Sequence, residues 1–136
     1  MSSESDERER IFTLAEASQL IPRLRAILTE AGGEWARMRR LNPQIQKARD
    51  KVPLDAFAPG GAEYVEAASH LVFLLHQVKD MGVYIKDIDK GLCDFPYMRN
   101  GRVVYLCWHL GEASITHWHD IEAGFAGREP LDETDR

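Results

Sequence analysis

The chain has 136 residues and a mass of 15.5 kDa, a size that one hydrophobic core serves. Hydrophobic residues are 44% and charged residues 29%, which excludes a disordered or fibrous chain. No apolar run nears the roughly 18 residues of a membrane helix. The first ten residues hold no signal core, and two cysteines are too few for a disulfide scaffold, so the reading is a cytoplasmic protein away from the membrane. The net charge of -5 sits in the two ends, and the body between them is neutral.

From the N-terminus, residues 1–10 (MSSESDERER) predict a disordered acidic tail. Thr13-Leu-Ala-Glu16 has the spacing of a capping box, in which each side chain accepts from the other residue's backbone N–H. Helix 1 is therefore predicted to start at Leu14. Apolar residues then recur at Ala17, Ile21, Leu24, Leu28, Ala31, Trp35, Met38 and Ile45, one stripe for a partner helix. Pro22 predicts a kink. Asn42-Pro43 predicts a break or restart with Asn42 as a new N-cap. The same stretch holds the bases Arg23, Arg25, Arg37, Arg39, Arg40, Lys47, Arg49 and Lys51 against Glu30, Glu34 and Asp50. No aromatic platforms interleave them, so they read as a solvated helix face and not as a nucleic-acid footprint.

Residues 51–61 (KVPLDAFAPGG) read as a loop. Helix 2 is predicted from about Ala62 to Met81. Its stripe is Tyr64, Ala68, Leu71, Leu75 and Val78, widened by Val72 and Leu74, with Gly82 as left-handed stop. Glu66 and His70, like His76 and Asp80, have the four-residue spacing of helix-face ion pairs. After Gly82 the period becomes two. Val83–Ile88, Leu92–Met98 and Arg102–His109 read as strands, the last two joined by the hairpin signal Asn100-Gly101. Ser114–His119 is a fourth short strand. The predicted fold is α+β: a long antiparallel helical hairpin followed by a three- to four-stranded antiparallel sheet. It forms one domain over residues 11–131, with a disordered tail over 132–136.

A two-residue turn at Asn100-Gly101 sets Cys93 opposite Trp108, Phe95 opposite Leu106 and Tyr97 opposite Val104, on a face apolar enough to pack on the helices. The other face carries Asp94 opposite Cys107, flanked by Tyr105 and His109. Cys93 and Cys107 then point apart and are not expected to bridge. His117 and His119 share a strand face, so both imidazoles reach toward one ion, with Cys107 or Glu112 as a third ligand. Gly111, His117 and His119 have the spacing of the cupin signature. Its carboxylate is missing at Ala123 and Gly124, however, and a cupin needs about eight strands. Neither a metal nor another cofactor is expected, and no Walker loop, GxSxG elbow, CxxC pair or HExxH motif occurs.

The segments FTLAEASQLIPRLR and MGVYIKDIDKGLCDFPYMRNGRVVYLCWHLGEASITHWHDIEAGFAGREPL resemble a bacterial family catalogued as domain of unknown function 2203. The matching positions are Gly91, Asp94, Phe95, Cys107, Trp108, Gly111, Glu112, Trp118, His119, Gly124, Phe125, Gly127 and Arg128. The resemblance implies no activity or substrate. It implies that the polar members, Asp94, Cys107, Glu112, His119 and Arg128, are the place to look for a site. Two functions are carried forward. The first is a non-catalytic cytoplasmic domain acting through self-association or partner binding. It would be a homodimer through helix 1 or helix 2, with Trp35, Leu41 and Phe57 as an exposed apolar patch. The alternative is a small enzyme or ligand-binding protein whose five polar residues take a small anionic ligand.

Overall fold

The computed structural model describes residues 9–51 and 60–136. Helix α1 spans Leu14–Lys51 and α2 spans Gly61–Asp80. Strands β1 (Tyr84–Asp87), β2 (Leu92–Arg99), β3 (Arg102–His109), β4 (His117–His119) and β5 (Glu129–Pro130) follow. They form one antiparallel sheet in chain order. The architecture is the expected α+β arrangement with one more strand. Among the described residues no helix is long and apolar enough to cross a membrane.

The capping box starts α1 where the sequence places it. The Glu16 N–H donates to Thr13 Oγ1 at 3.0 Å, and the Thr13 N–H donates to Glu16 Oε1 at 2.9 Å. The helix then runs without interruption through Pro22 and Pro43, which corrects the expected restart at Asn42. Each proline removes one N–H and costs about 3 kcal/mol in a helix interior. Around Pro43 the chain reads Arg39-Arg40-Leu41 and Gln44-Ile45-Gln46-Lys47-Ala48-Arg49, mostly strong helix formers that carry the helix past a single missing bond.

Across the hairpin, Arg37 reaches Glu63 at 3.0 Å and Glu66 at 3.2 Å. His70 meets Glu30 at 2.8 Å and Glu34 at 2.5 Å. His70 therefore pairs with α1, and its i−4 neighbour Glu66 is taken by Arg37. Gly82, at φ 86°, stops α2 where expected.

The β2–β3 register is the expected one, from Leu92↔His109 to Arg99↔Arg102, and both turn residues have positive φ. Cys93, Phe95, Val104, Leu106 and Trp108 are buried against Leu24, Leu28, Leu71 and Val78 of the helices. Both cysteines are free. Gly91 sits where a Cβ would lie 2.6 Å from the Leu110 Cβ. Only glycine lets the Leu110 N–H reach the Gly91 carbonyl, at 3.1 Å. Pro96 lies in mid-strand without cost to the β2–β3 ladder. Its carbonyl accepts from Phe12 N–H at 2.8 Å, so its backbone polar groups face away from β3.

Three further expectations are corrected. Residues 132–136 do not form a disordered tail. Asp132 caps a short 3₁₀ turn, Glu133–Asp135, through a second capping box. The Asp135 carboxylate accepts from Tyr97 Oη at 2.9 Å and Arg99 Nε at 3.0 Å. At the other end, residues 1–8 lie outside the described residues. Arg10 donates to the Met81 carbonyl at 3.0 Å and Tyr84 Oη donates to Glu9 at 2.9 Å, so the last two residues of the expected tail are held. Finally, Leu41 is buried and Trp35 packs partly buried against the core, while Phe57 lies outside the described residues. Among the described residues, the large exposed apolar side chains of the hairpin are Val65, Val72 and Phe73 on α2. Val72 thus faces outward instead of widening the buried stripe.

Candidate functional site

Strand alternation turns Asp94 and Cys107 away from the helices, and the register sets them directly opposite each other. Pairing of β4 with β3 places His117 against Cys107 and His119 against Tyr105. The His119 ring thereby reaches back across β3 to β2. Its Nε2 lies 3.0 Å from Asp94 Oδ1, and its Nδ1 lies 2.7 Å from the Asp120 carbonyl oxygen. Asp94 and His119 are each 2% exposed and Cys107 is fully buried. The Tyr105 ring stands edge-on to His119, with centroids 5.6 Å apart. One donor atom from each of Asp94, Cys107 and His119 lies within 4.8 Å of the other two.

The remaining two of the five residues form a second, adjoining group. Arg128 Nη2 donates to both Glu112 carboxylate oxygens, at 3.2 and 3.1 Å, and to the Cys107 carbonyl at 3.4 Å. The same carboxylate accepts from the His109 N–H at 3.1 Å, and the Glu112 carbonyl accepts from Trp108 Nε1 at 3.0 Å. The Arg128 guanidinium lies 4.7 Å from the Phe125 ring centroid. Its Nε is buried with no acceptor among the described residues. Glycine-flanked Gly124–Arg128 thus aims the guanidinium at an anion, and the anion is the chain's own Glu112.

The structure brings the five residues into one contiguous polar patch joined at Cys107. It does not place His117 in the set of mutually close donor atoms to which His119 belongs. His117 Nδ1 lies 2.8 Å from the Thr116 hydroxyl, and the donors gathered around His119 are Asp94 and Cys107. Sequence reasoning missed Asp120, whose carbonyl orients the His119 ring. A main-chain acceptor leaves no residue-type signal.

The chemistry follows from these contacts. A carbonyl only accepts, so Nδ1 of His119 carries a hydrogen. One proton then lies between Nε2 and Asp94 Oδ1. Burial raises the Asp94 carboxyl above its ordinary value, against the opposing pull of His119 and Lys86. Burial also pushes the Cys107 thiol up to about 11, with Arg128 pulling the other way. At neutral pH Cys107 is therefore a thiol and not an activated nucleophile. A groove of about 600 Å³ lies between the hairpin and β1, lined by Trp35, Leu75, Val83, Ile85 and Ile88. None of the five polar residues lines it.

With this geometry in view, one protein-family model matches residues 10–131, that of an uncharacterized conserved protein (DUF2203). The chain belongs to this family. No curated protein and no solved structure matches it. The matched span runs from two residues before the Phe12 bridge to one residue beyond β5. It holds both polar groups and ends just short of the Asp132–Asp135 turn.

Proposed function

We propose that this protein is a non-catalytic cytoplasmic assembly module that works as a homodimer through α2. The outward face of α2 carries the reading. Val65, Val72 and Phe73 stand 63%, 53% and 59% exposed. Steps of seven and eight residues put them on one helical stripe, which Ala62, Ser69 and His76 extend. The neighbouring acids Glu63 and Glu66 are engaged by Arg37 across the hairpin, which leaves an uncharged row. Such a row is self-complementary in a two-fold antiparallel contact, where the Val65 end of one copy meets the Phe73 end of the other across Ser69. The mutual pairing of Asp94 with His119 and of Glu112 with Arg128 favours a structural role for the polar patch over acid–base catalysis. Two free, buried cysteines suit a reducing compartment.

Light scattering on the full chain at micromolar concentration tests the proposal. The expected mass is twice the 15.5 kDa of the chain. Phe73→Glu should give the monomer mass with an unchanged helical circular dichroism signal, because the side chain is exposed in the single chain. A wild-type monomer, or a dimer that persists in Phe73→Glu, overturns it.

A further inference from the structure

We infer that Asp94, Cys107 and His119 together form a binding site for one divalent zinc-class ion. A carboxylate, a thiolate and an imidazole are the ligand types such an ion takes. Here they come from three adjacent strands, with their donor atoms within 4.8 Å of one another. The imidazole is already oriented for the task. Nδ1 is held by the Asp120 carbonyl at 2.7 Å, which turns Nε2 inward, and a second hydrogen bond of this kind accompanies most metal-bound histidines. Charge favours occupancy as well. One carboxylate and one thiolate balance a divalent ion, so no net charge is buried, whereas the metal-free cluster has to keep protons on the thiol and between Asp94 and His119. Binding releases those two protons to solvent. Three protein ligands are the number found where a fourth place is kept for a small non-protein ligand. A spare buried donor stands beside the same strand: Arg128 bonds the Cys107 carbonyl through Nη2, and its Nε has no acceptor among the described residues. The set differs from the histidine pair that the sequence suggested, since the donor atoms that lie within 4.8 Å of one another belong to Asp94, Cys107 and His119 and not to His117.

The test uses the full chain made without a histidine tag. Given one equivalent of zinc and then desalted, the protein should retain close to one ion per chain by elemental analysis. Given cobalt(II), it should show a thiolate-to-cobalt charge-transfer band. Cys107→Ser should abolish the band. Cys93→Ser should keep it, because Cys93 packs into the core on the opposite face. Asp94→Asn should weaken zinc binding by roughly 10-fold or more, the scale on which lost metal-site partners act. Absence of both retained zinc and the cobalt band in the wild-type protein overturns the inference. So does a band that survives Cys107→Ser. The wild-type measurements decide the matter even if a variant fails to fold.

Discussion

The protein contains the same chemical pair in two settings. Asp94 and His119 meet at 3.0 Å beneath the sheet with 3% of each side chain exposed. Glu34 and His70 meet at 2.5 Å across the helical hairpin, where the His70 side chain is 39% exposed. In both, a carboxylate hydrogen-bonds an imidazole. Under the sheet, burial dominates and the Asp94 carboxyl is raised. Across the hairpin the His70 hydrogen bond dominates, and the Glu34 carboxyl is lowered. Geometry alone therefore does not set the sign of a pair's effect. The cost of removing the carboxylate from water decides it, and a pair of this kind contributes stability only where that cost is small or is offset by further donors.

The largest effect expected from breaking this contrast is at Asp94. Asp94→Ala leaves the His119 Nε2 buried with no partner and should destabilise the metal-free protein by about 2–4 kcal/mol, read from the urea midpoint. A loss below about 0.5 kcal/mol, the level of an ordinary surface change, would mean that the pair is not buried as described.

Asp135 lies between the two cases. Its side chain is only 2% exposed, and burial raises its carboxyl. The Asp132 N–H, Arg99 and Tyr97 outweigh that and hold it below the ordinary value. A lowered carboxyl stabilises the fold above its unfolded value of 3.8, and this is lost as the pH falls through the folded value. Asp135→Ala should cost about 1–2 kcal/mol at neutral pH. The cost should vanish at the most acidic pH at which the protein stays folded. A cost that persists undiminished in acid would assign the effect to packing instead.

The smallest effect belongs to His70. The Glu34 hydrogen bond raises its pKa above 6.5. Its contribution is therefore complete below that value and is lost as the pH climbs through the raised one. The lowered Glu34 carboxyl sets the acid limit: its contribution is present above 4.5 and is lost as the pH falls through the lowered value. Thermal melting of the wild type should drop slightly from about pH 6 to about pH 9, across the imidazole titration. His70→Gln should flatten that drop. An unchanged slope would show that the clasp contributes nothing in solution.

What the sequence made legible follows the range of each signal. Thr13-x-x-Glu16 and Asn100-Gly101 are local devices, and they place the start of α1 and the whole β2–β3 register. With that register fixed, Asp94 and Cys107 face each other on the strength of the sequence alone. Partners set by tertiary packing were not legible. Whether His119 meets Asp94 or His117 depends on where a three-residue strand docks, and three residues carry too little periodicity to say. Pro43 reads locally as a breaker and is overridden by the helix formers around it. The turn at Asp132–Asp135 did carry a signal, an Asp-x-x-Asp capping pattern of the same kind as Thr13-x-x-Glu16. The acidic composition of the segment masked it.

The outer strands of the sheet bear on whether a further strand can add to it. β1 is four residues long, its pairing shifts register between Ile85 and Asp87, and exposed Lys86 sits at that irregularity. β5 has two residues, one of them Pro130. Farther along β2, the donor a neighbouring strand would need is missing at Pro96, whose carbonyl is already taken by Phe12. Each border is thus short, interrupted, charged or proline-blocked, the devices by which natural sheets avoid adding strands from other molecules. Fibril-like growth by strand addition is disfavoured at both borders. The dimer proposed through α2 would use helical surface instead, where a two-fold contact closes on itself.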